Sequence, residues 1–175
     1  MTTVAIIPAR LQSSRLPRKA LADICGMPMV VHVYKRCLFS LELSDVFIAT
    51  DSDEIKEVAE KANCKVVMTS SEHATGTDRI AEAARKIDAE IVVDVQGDEA
   101  LVNPVSIDKV VQPLIQDSSL NMGILVNPFN KRNSPSDKSC CRWEYGCSLY
   151  VESGFTFRCE DRKSESTKGL PHCSI

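Results

Sequence analysis

No apolar run in this 175-residue chain approaches the roughly 18 residues that a membrane span requires. The opening residues, Met1 to Arg10, lack the basic region, long apolar stretch and cleavage site of a secretory signal. A soluble cytoplasmic protein without membrane association is the expectation. The chain also lacks paired C-x-x-C spacing, so its cysteine-rich end, with His172-Cys173, completes no zinc motif. Neither G-x-x-x-x-G-K-[ST] nor G-x-G-x-x-G occurs, which removes the Walker A loop and the dinucleotide fingerprint. Nor is there an excess of positive charge. The formal net charge is -3, which argues against a nucleic-acid footprint spread over the surface.

What is present fits one globular domain with a sizeable core, at 43% hydrophobic and 26% charged residues. The charge is unevenly placed. Residues 1–40 carry six cations (Arg10, Arg15, Arg18, Lys19, Lys35, Arg36) against Asp23, a local +5 that leaves -8 elsewhere. Such a cluster on an acidic chain points to a site for a small anion, with a solvated basic face as the alternative. Cysteine divides the chain as well. Cys25, Cys37 and Cys64 read as small buried hydrophobes, while five more fall in the last 38 residues.

Up to about residue 130, short apolar runs alternate with amphipathic segments. Strands are expected at Val4–Pro8, Val46–Thr50, Val66–Thr69, Ile91–Val95 and Met122–Val126. Helices are expected at Met29–Phe39, from Asp51-Ser-Asp-Glu54 through Ala62, at Thr77–Ile87 and from Pro104 through Ile115. This alternation predicts an α/β fold with crossover helices on both faces of a mainly parallel sheet. Ligands in such folds bind beyond the carboxyl ends of the strands, here Pro8–Lys19, Thr50–Asp51, Thr69–Thr77 and Gln96–Glu99. After Asn133-Ser-Pro-Ser-Asp137 the pattern collapses, and little regular structure is expected in 138–175.

Three of those loops can carry chemistry. Arg10, Arg15 and Lys19 follow a buried strand, where arginine's planar fork suits phosphate oxygens, and Ala9, Ser13 and Ser14 let backbone N–H groups approach. Val95-Gln-Gly-Asp-Glu99 places carboxylates beside a glycine that admits close approach, which suits Mg²⁺ at Asp98; a polar turn is the alternative. His73-Ala-Thr-Gly-Thr-Asp-Arg79 can present a base-reading loop, or simply start a helix.

Together, Ile7-Pro-Ala-Arg10, Ser13, Arg15-Leu-Pro17, Lys19, Ala49-Thr-Asp51, His73, Gly76-Thr-Asp-Arg79 and Val95-Gln-Gly-Asp-Glu99 closely resemble the 3-deoxy-manno-octulosonate cytidylyltransferases over residues 3 to about 137. The resemblance implies a three-layer, Rossmann-like nucleotidyltransferase fold. It further implies Mg²⁺-dependent transfer of CMP from CTP to the anomeric hydroxyl of an eight-carbon sugar acid, with pyrophosphate released, for lipopolysaccharide or surface-polysaccharide synthesis. Arg10, Lys19 and Asp98 would be its catalytic group. Ala9, Arg10, Ser13, Arg15 and Lys19 would hold the triphosphate. His73, Gly76, Thr77 and Arg79 would shape the cytidine site with Gln96 beside it, and Asp98 would bind the metal.

The sequence departs from the family in four small ways and one large one. Arg18 stands where glycine is usual, Ala20 and Ala100 where proline is, and Thr75 where serine is. Arg18 would disturb the loop if that backbone needs a positive φ. Family members are considerably longer, and their later part supplies the sugar-acid pocket, a second metal carboxylate and the contacts of a homodimer. None of those motifs follows Asp137. Residues 1–137 are thus expected to form the nucleotide-binding domain and 138–175 an aberrant tail. Read back into codons, Lys138–Cys147 shifted by one nucleotide can encode Lys-Val-Val-Val-Asp-Gly-Asn-Met-Asp-Val, which is similar to the family's next strand. A frameshifted continuation, or truncation, is the expectation. The alternative function is a CTP-binding protein that transfers nothing.

Overall fold

The computed structural model of the protein describes residues 1–13, 16–128, 140–142 and 148–158. Strand β1 (Thr3–Ala9) is apolar on both sides and is almost wholly buried. A strand without a solvent face belongs at the centre of a parallel sheet. There β1 pairs in parallel with β4 (Asp45–Thr50) on one side and β6 (Ile91–Asp94) on the other. Short hairpin strands β2 (Asp23–Ile24) and β3 (Met27–Pro28) intervene in sequence, and β5 (Val66–Met68) extends the parallel set beyond β4. The predicted strands at the first four positions are therefore present, within a residue or two of their expected ends.

Alternation along β1 divides the core. Ala5, Ile7 and Ala9 point to one face, where they pack with α1 (Met29–Cys37), α2 (Asp53–Lys61) and α4 (Pro104–Gln116). Val4 and Ile6 point to the other, against Ile80, Ala83 and Ala84 of α3 (Gly76–Lys86). The result is three layers, helix–sheet–helix, as the crossover pattern predicted. Three of the helix starts follow from their sequence. Ser52 caps α2 by accepting from Ile55 N–H, Thr75 and Asp78 form a reciprocal capping box on α3, and Asn103 precedes Pro104 at the first turn of α4.

The remainder of the sheet departs from expectation. Strand β7 (Met122–Pro128) does not join the parallel set directly, because β9 (Ser148–Arg158) lies between it and β6, antiparallel to both. β8 (Cys140–Arg142) pairs antiparallel with β9 in turn. Little regular structure was expected after Asp137, yet 148–158 is a long strand. Its Tyr150, Val151, Phe155, Thr156 and Phe157 are strand formers, a signal that a search for helical periods passes over. The register with β7 shifts between Ile124 and Val126, opposite Phe155 and Val151, so β9 bulges around Ser153-Gly154. The rest of 138–175 falls outside the described residues.

A second correction concerns Cys25. Cys37 and Cys64 are buried as expected, and burial pushes their thiols up to about 12 and about 11. Cys25 is exposed instead. With Gly26 it makes the two-residue turn between β2 and β3, at φ 51 and φ 84, the left-handed geometry that tight hairpins demand.

Removing the α3 cap should be measurable. Thr75→Ala is expected to lower the unfolding free energy by about 1 kcal/mol in urea titrations, with Thr75→Ser retaining most of it.

Candidate functional site

The carboxyl ends of β1 and β6 open into a cleft of about 400 Å³ lined by Pro8, Ala9, Arg10, Ser13, Leu16, Lys19, Ala20, Gln96, Gly97 and Asp98. The first loop reaches it because β1 ends at Ala9 and the chain turns back at Arg18, whose N–H donates to Leu11 O at 3.0 Å. Arg18 adopts φ 57 and ψ 30, the left-handed region that glycine enters without strain. The backbone here does require a positive φ. The guanidinium of Arg18 pairs with Glu54 in the first turn of α2. Lys19 then opens a short 3₁₀ turn (Lys19–Leu21) anchored by buried Ala20.

The opposite wall depends on Gly97. A Cβ there would lie 2.7 Å from the Pro8 carbonyl oxygen, so only glycine lets the β6 loop cross the end of β1. That crossing sets Asp98 over the cleft, where its carboxylate forms an ion pair with Lys19. Beneath it, Asp94 is 2% exposed. Burial pushes its carboxyl up to about 7, the hydrogen bond from Gln96 Nε2 at 3.0 Å offsets this in part, and the charge of Glu99 adds to it.

The 69–82 segment is built differently. Glu82 accepts from Lys86 Nζ at 2.7 Å and from Ser70 N–H at 2.8 Å, and meets His73 Nε2 at 2.5 Å. Lys86, the Ser70 N–H and His73 together hold the Glu82 carboxyl down to about 2. Arg79 is 3% exposed. Its guanidinium donates to Thr69 Oγ1 at 2.6 Å and pairs with Asp51 at 3.2 Å, tying together the chain just beyond β4 and β5.

Comparison with known proteins bears on this arrangement. A family model described as cytidylyltransferase matches residues 4–141. The chain belongs to the cytidylyltransferase family. Within it, the chain is 50% identical over 125 residues to a 3-deoxy-manno-octulosonate cytidylyltransferase of Geobacter metallireducens, covering 71% of this chain and 49% of that protein. It is 45% identical over 129 residues to one from Chloroherpeton thalassium, covering 74% and 52%. The chain spans about half the length of the curated relatives it matches. A solved CMP:2-keto-3-deoxy-manno-octonic acid synthetase, complexed with CTP, superposes with a TM-score of 0.79 at 29% identity, over 90% of this chain and 74% of that one. A cytidylyltransferase from Leptospira borgpetersenii shares the fold, with a TM-score of 0.65 at 22% identity over 90% and 60% of the two chains.

Of the residues expected from sequence, this cytidylyltransferase-family cleft brings together Ala9, Arg10, Ser13, Lys19, Gln96 and Asp98. Arg15 lies outside the described residues. His73, Gly76, Thr77 and Arg79 are not among the cleft's lining residues, although Gly76 stands beside Pro8. Arg79 is committed to Asp51 and Thr69, and His73 to Glu82. Pro8, Leu16 and Gly97 line the cleft from within the loops expected to bind ligand, Gly97 making the close approach expected of it, whereas Ala20 and Asp94 were not singled out as site residues in the sequence. A lone carboxylate inside the buried run Ile91–Val95 was the available signal for Asp94.

Two outcomes follow from this geometry. Asp94 has a folded-state pKa of about 7 against 3.8 when unconstrained, so between those values the folded chain binds more protons than the unfolded one. Stability should therefore fall as pH rises from about 4 to 7, by about 3 kcal/mol, and level off above. Asp94→Asn should flatten that slope and raise the melting temperature at pH 8. Gly97→Ala should cost about 1–3 kcal/mol of stability in denaturant titrations, because the backbone of either strand end must move to clear the new methyl group.

Proposed function

We propose that this cleft binds the triphosphate of CTP and that the family reaction transfers CMP to the anomeric hydroxyl of 3-deoxy-manno-octulosonate or a close relative. The single observation that supports the reading most is the convergence of Arg10, Ser13, Lys19 and Asp98 on one cleft at the carboxyl ends of the parallel strands. Half-identical relatives carry the name of that activity, which supports this choice among nucleotidyltransferase substrates.

The chemistry asks little covalent work of the protein. The anomeric oxygen attacks the α-phosphorus in line, the bond from that phosphorus to the β-phosphate oxygen breaks, and pyrophosphate leaves. Positioning and neutralisation of charge carry such a step. Arg10 supplies a planar, permanently charged donor, Ser13 a hydroxyl, and Lys19 a mobile point charge. Asp98 fits a magnesium ion by its chemistry: it is a hard oxygen donor, half exposed, on the cleft wall facing those cations. Among the described residues no group of three or more potential ligands gathers, so Asp98 together with phosphate oxygens would hold the ion. When bound, magnesium neutralises charge on the phosphates. Gln96 Nε2 donates to the buried Asp94 at the start of the loop that carries Asp98.

A second reading is set beside this one because, among the described residues, the cleft carries a basic loop and Asp98 but no gathered group of three or more potential metal ligands. On that reading the chain binds CTP without transferring CMP. Titration calorimetry with CTP and Mg²⁺, followed by pyrophosphate release on adding the sugar acid, separates the two. Binding with release supports transfer, binding without release supports the second reading, and absence of binding overturns both.

Arg10 gives a sharper check. Arg10→Ala should weaken CTP binding by roughly tenfold or more while leaving cytidine binding nearly unchanged, since a charge-assisted contact is worth about 1.5–3 kcal/mol. Equal losses for both ligands would give Arg10 a structural role.

A further inference from the structure

Lys19 and Asp98 are bonded to each other across the cleft, yet the proposed function assigns them ligands of opposite charge. A phosphate that takes Lys19 must strip the counterion from Asp98. A divalent cation that takes Asp98 must strip the counterion from Lys19. We propose that this ion pair is an exchangeable counterion that couples the two ligands, so that nucleoside triphosphate and metal bind well together and poorly apart. The inference rests on the reading of the cleft as a CTP site and adds a coupling to it.

The backbones on both sides are fixed, which confines the exchange to side chains. Lys19 stands at the head of a 3₁₀ turn in which Leu21 N–H donates to Arg18 O at 2.9 Å and Ala22 N–H to Lys19 O at 3.0 Å. Asp98 follows Gly97, which is pressed on the Pro8 carbonyl, and Glu99 N–H donates to Gln96 O at 3.1 Å. The lysine stem has four rotatable carbons and can swing its ammonium without moving that frame. The two side chains are 36% and 47% exposed, so the pair is well hydrated and only weakly held. Weak pairing is what permits exchange. Its consequence lies in what remains: phosphate on Lys19 alone leaves a bare carboxylate beside an anion, and a cation at Asp98 alone leaves a bare ammonium beside a cation. Joint binding leaves neither, and the coupling is reciprocal.

A mutant cycle tests this against a simple field effect of the carboxylate. CTP is titrated in the presence of a chelator into the full chain and its Asp98→Asn, Lys19→Met and doubly substituted forms, each checked by circular dichroism. Asp98→Asn is expected to strengthen metal-free CTP binding by about two- to five-fold when Lys19 is present. In the Lys19→Met background, where there is no pair to break, that gain should be smaller, leaving only the repulsion between carboxylate and triphosphate. Conversely, Lys19→Met should strengthen binding of Mn²⁺ alone, read by electron paramagnetic resonance, and should not do so once Asp98 is Asn. A gain of equal size in both backgrounds would overturn the exchange and leave the CTP reading standing. If the unsubstituted chain binds neither CTP nor inorganic tripolyphosphate, the CTP reading falls and the exchange falls with it.

Discussion

The close approach of the β6 loop to the end of β1 governs the site. Val95 N–H donates to Ile6 O at 3.2 Å, and two residues further along β1, on the same edge, stands Pro8, which has no N–H to offer. The ladder can end there without leaving a buried donor unpaired. Gly97 then crosses the Pro8 carbonyl at a distance no side chain would tolerate. Proline and glycine thus do one job together: they release β6 from the sheet and turn it over the end of β1. Asp98 faces Lys19 only because of that crossing.

The rest of the molecule holds those two strand ends still. β1 is tied on both edges by parallel neighbours, and its side chains alternate between two buried helix layers. On the far side of β1, buried Arg79 joins Thr69 and Asp51, so the ends of β4 and β5 are fixed by a guanidinium as well as by the backbone bond from Thr69 N–H to Thr50 O at 2.9 Å. An arginine so enclosed is stabilised by its hydrogen-bonded partners and would be costly without them. The strain of a left-handed Arg18 is accepted within the same design. Its N–H closes the 11–18 loop, and its side chain reaches Glu54 at the start of α2.

Asp94 is a second tension in this arrangement, among the described residues. A carboxyl group at the end of a buried strand gains a hydrogen bond from Gln96 and little else to balance its desolvation. Its protonation therefore links the stability of the β6 end, and with it the loop carrying Asp98, to pH near neutrality.

Much of this was legible in the sequence, because local chemistry carried it. Apolar runs of strand length, the capping run Asp51-Ser-Asp-Glu54, proline at the start of the fourth helix, and a cationic loop after the first strand fixed the layers and the end at which to look. Arg10, Ser13, Lys19 and Asp98 were found because their types suit phosphate and magnesium wherever the chain puts them. What only tertiary structure decided is which of these meet. Arg79 has the chemistry to bind phosphate, but packing of α3 on the sheet turns it inward to Asp51 and Thr69. β9 has strand-forming residues, but its place between β6 and β7 is set by pairing across long sequence separations. The Lys19–Asp98 pair joins residues 79 apart. No local pattern encodes such a contact, because it is created by two strand ends brought side by side.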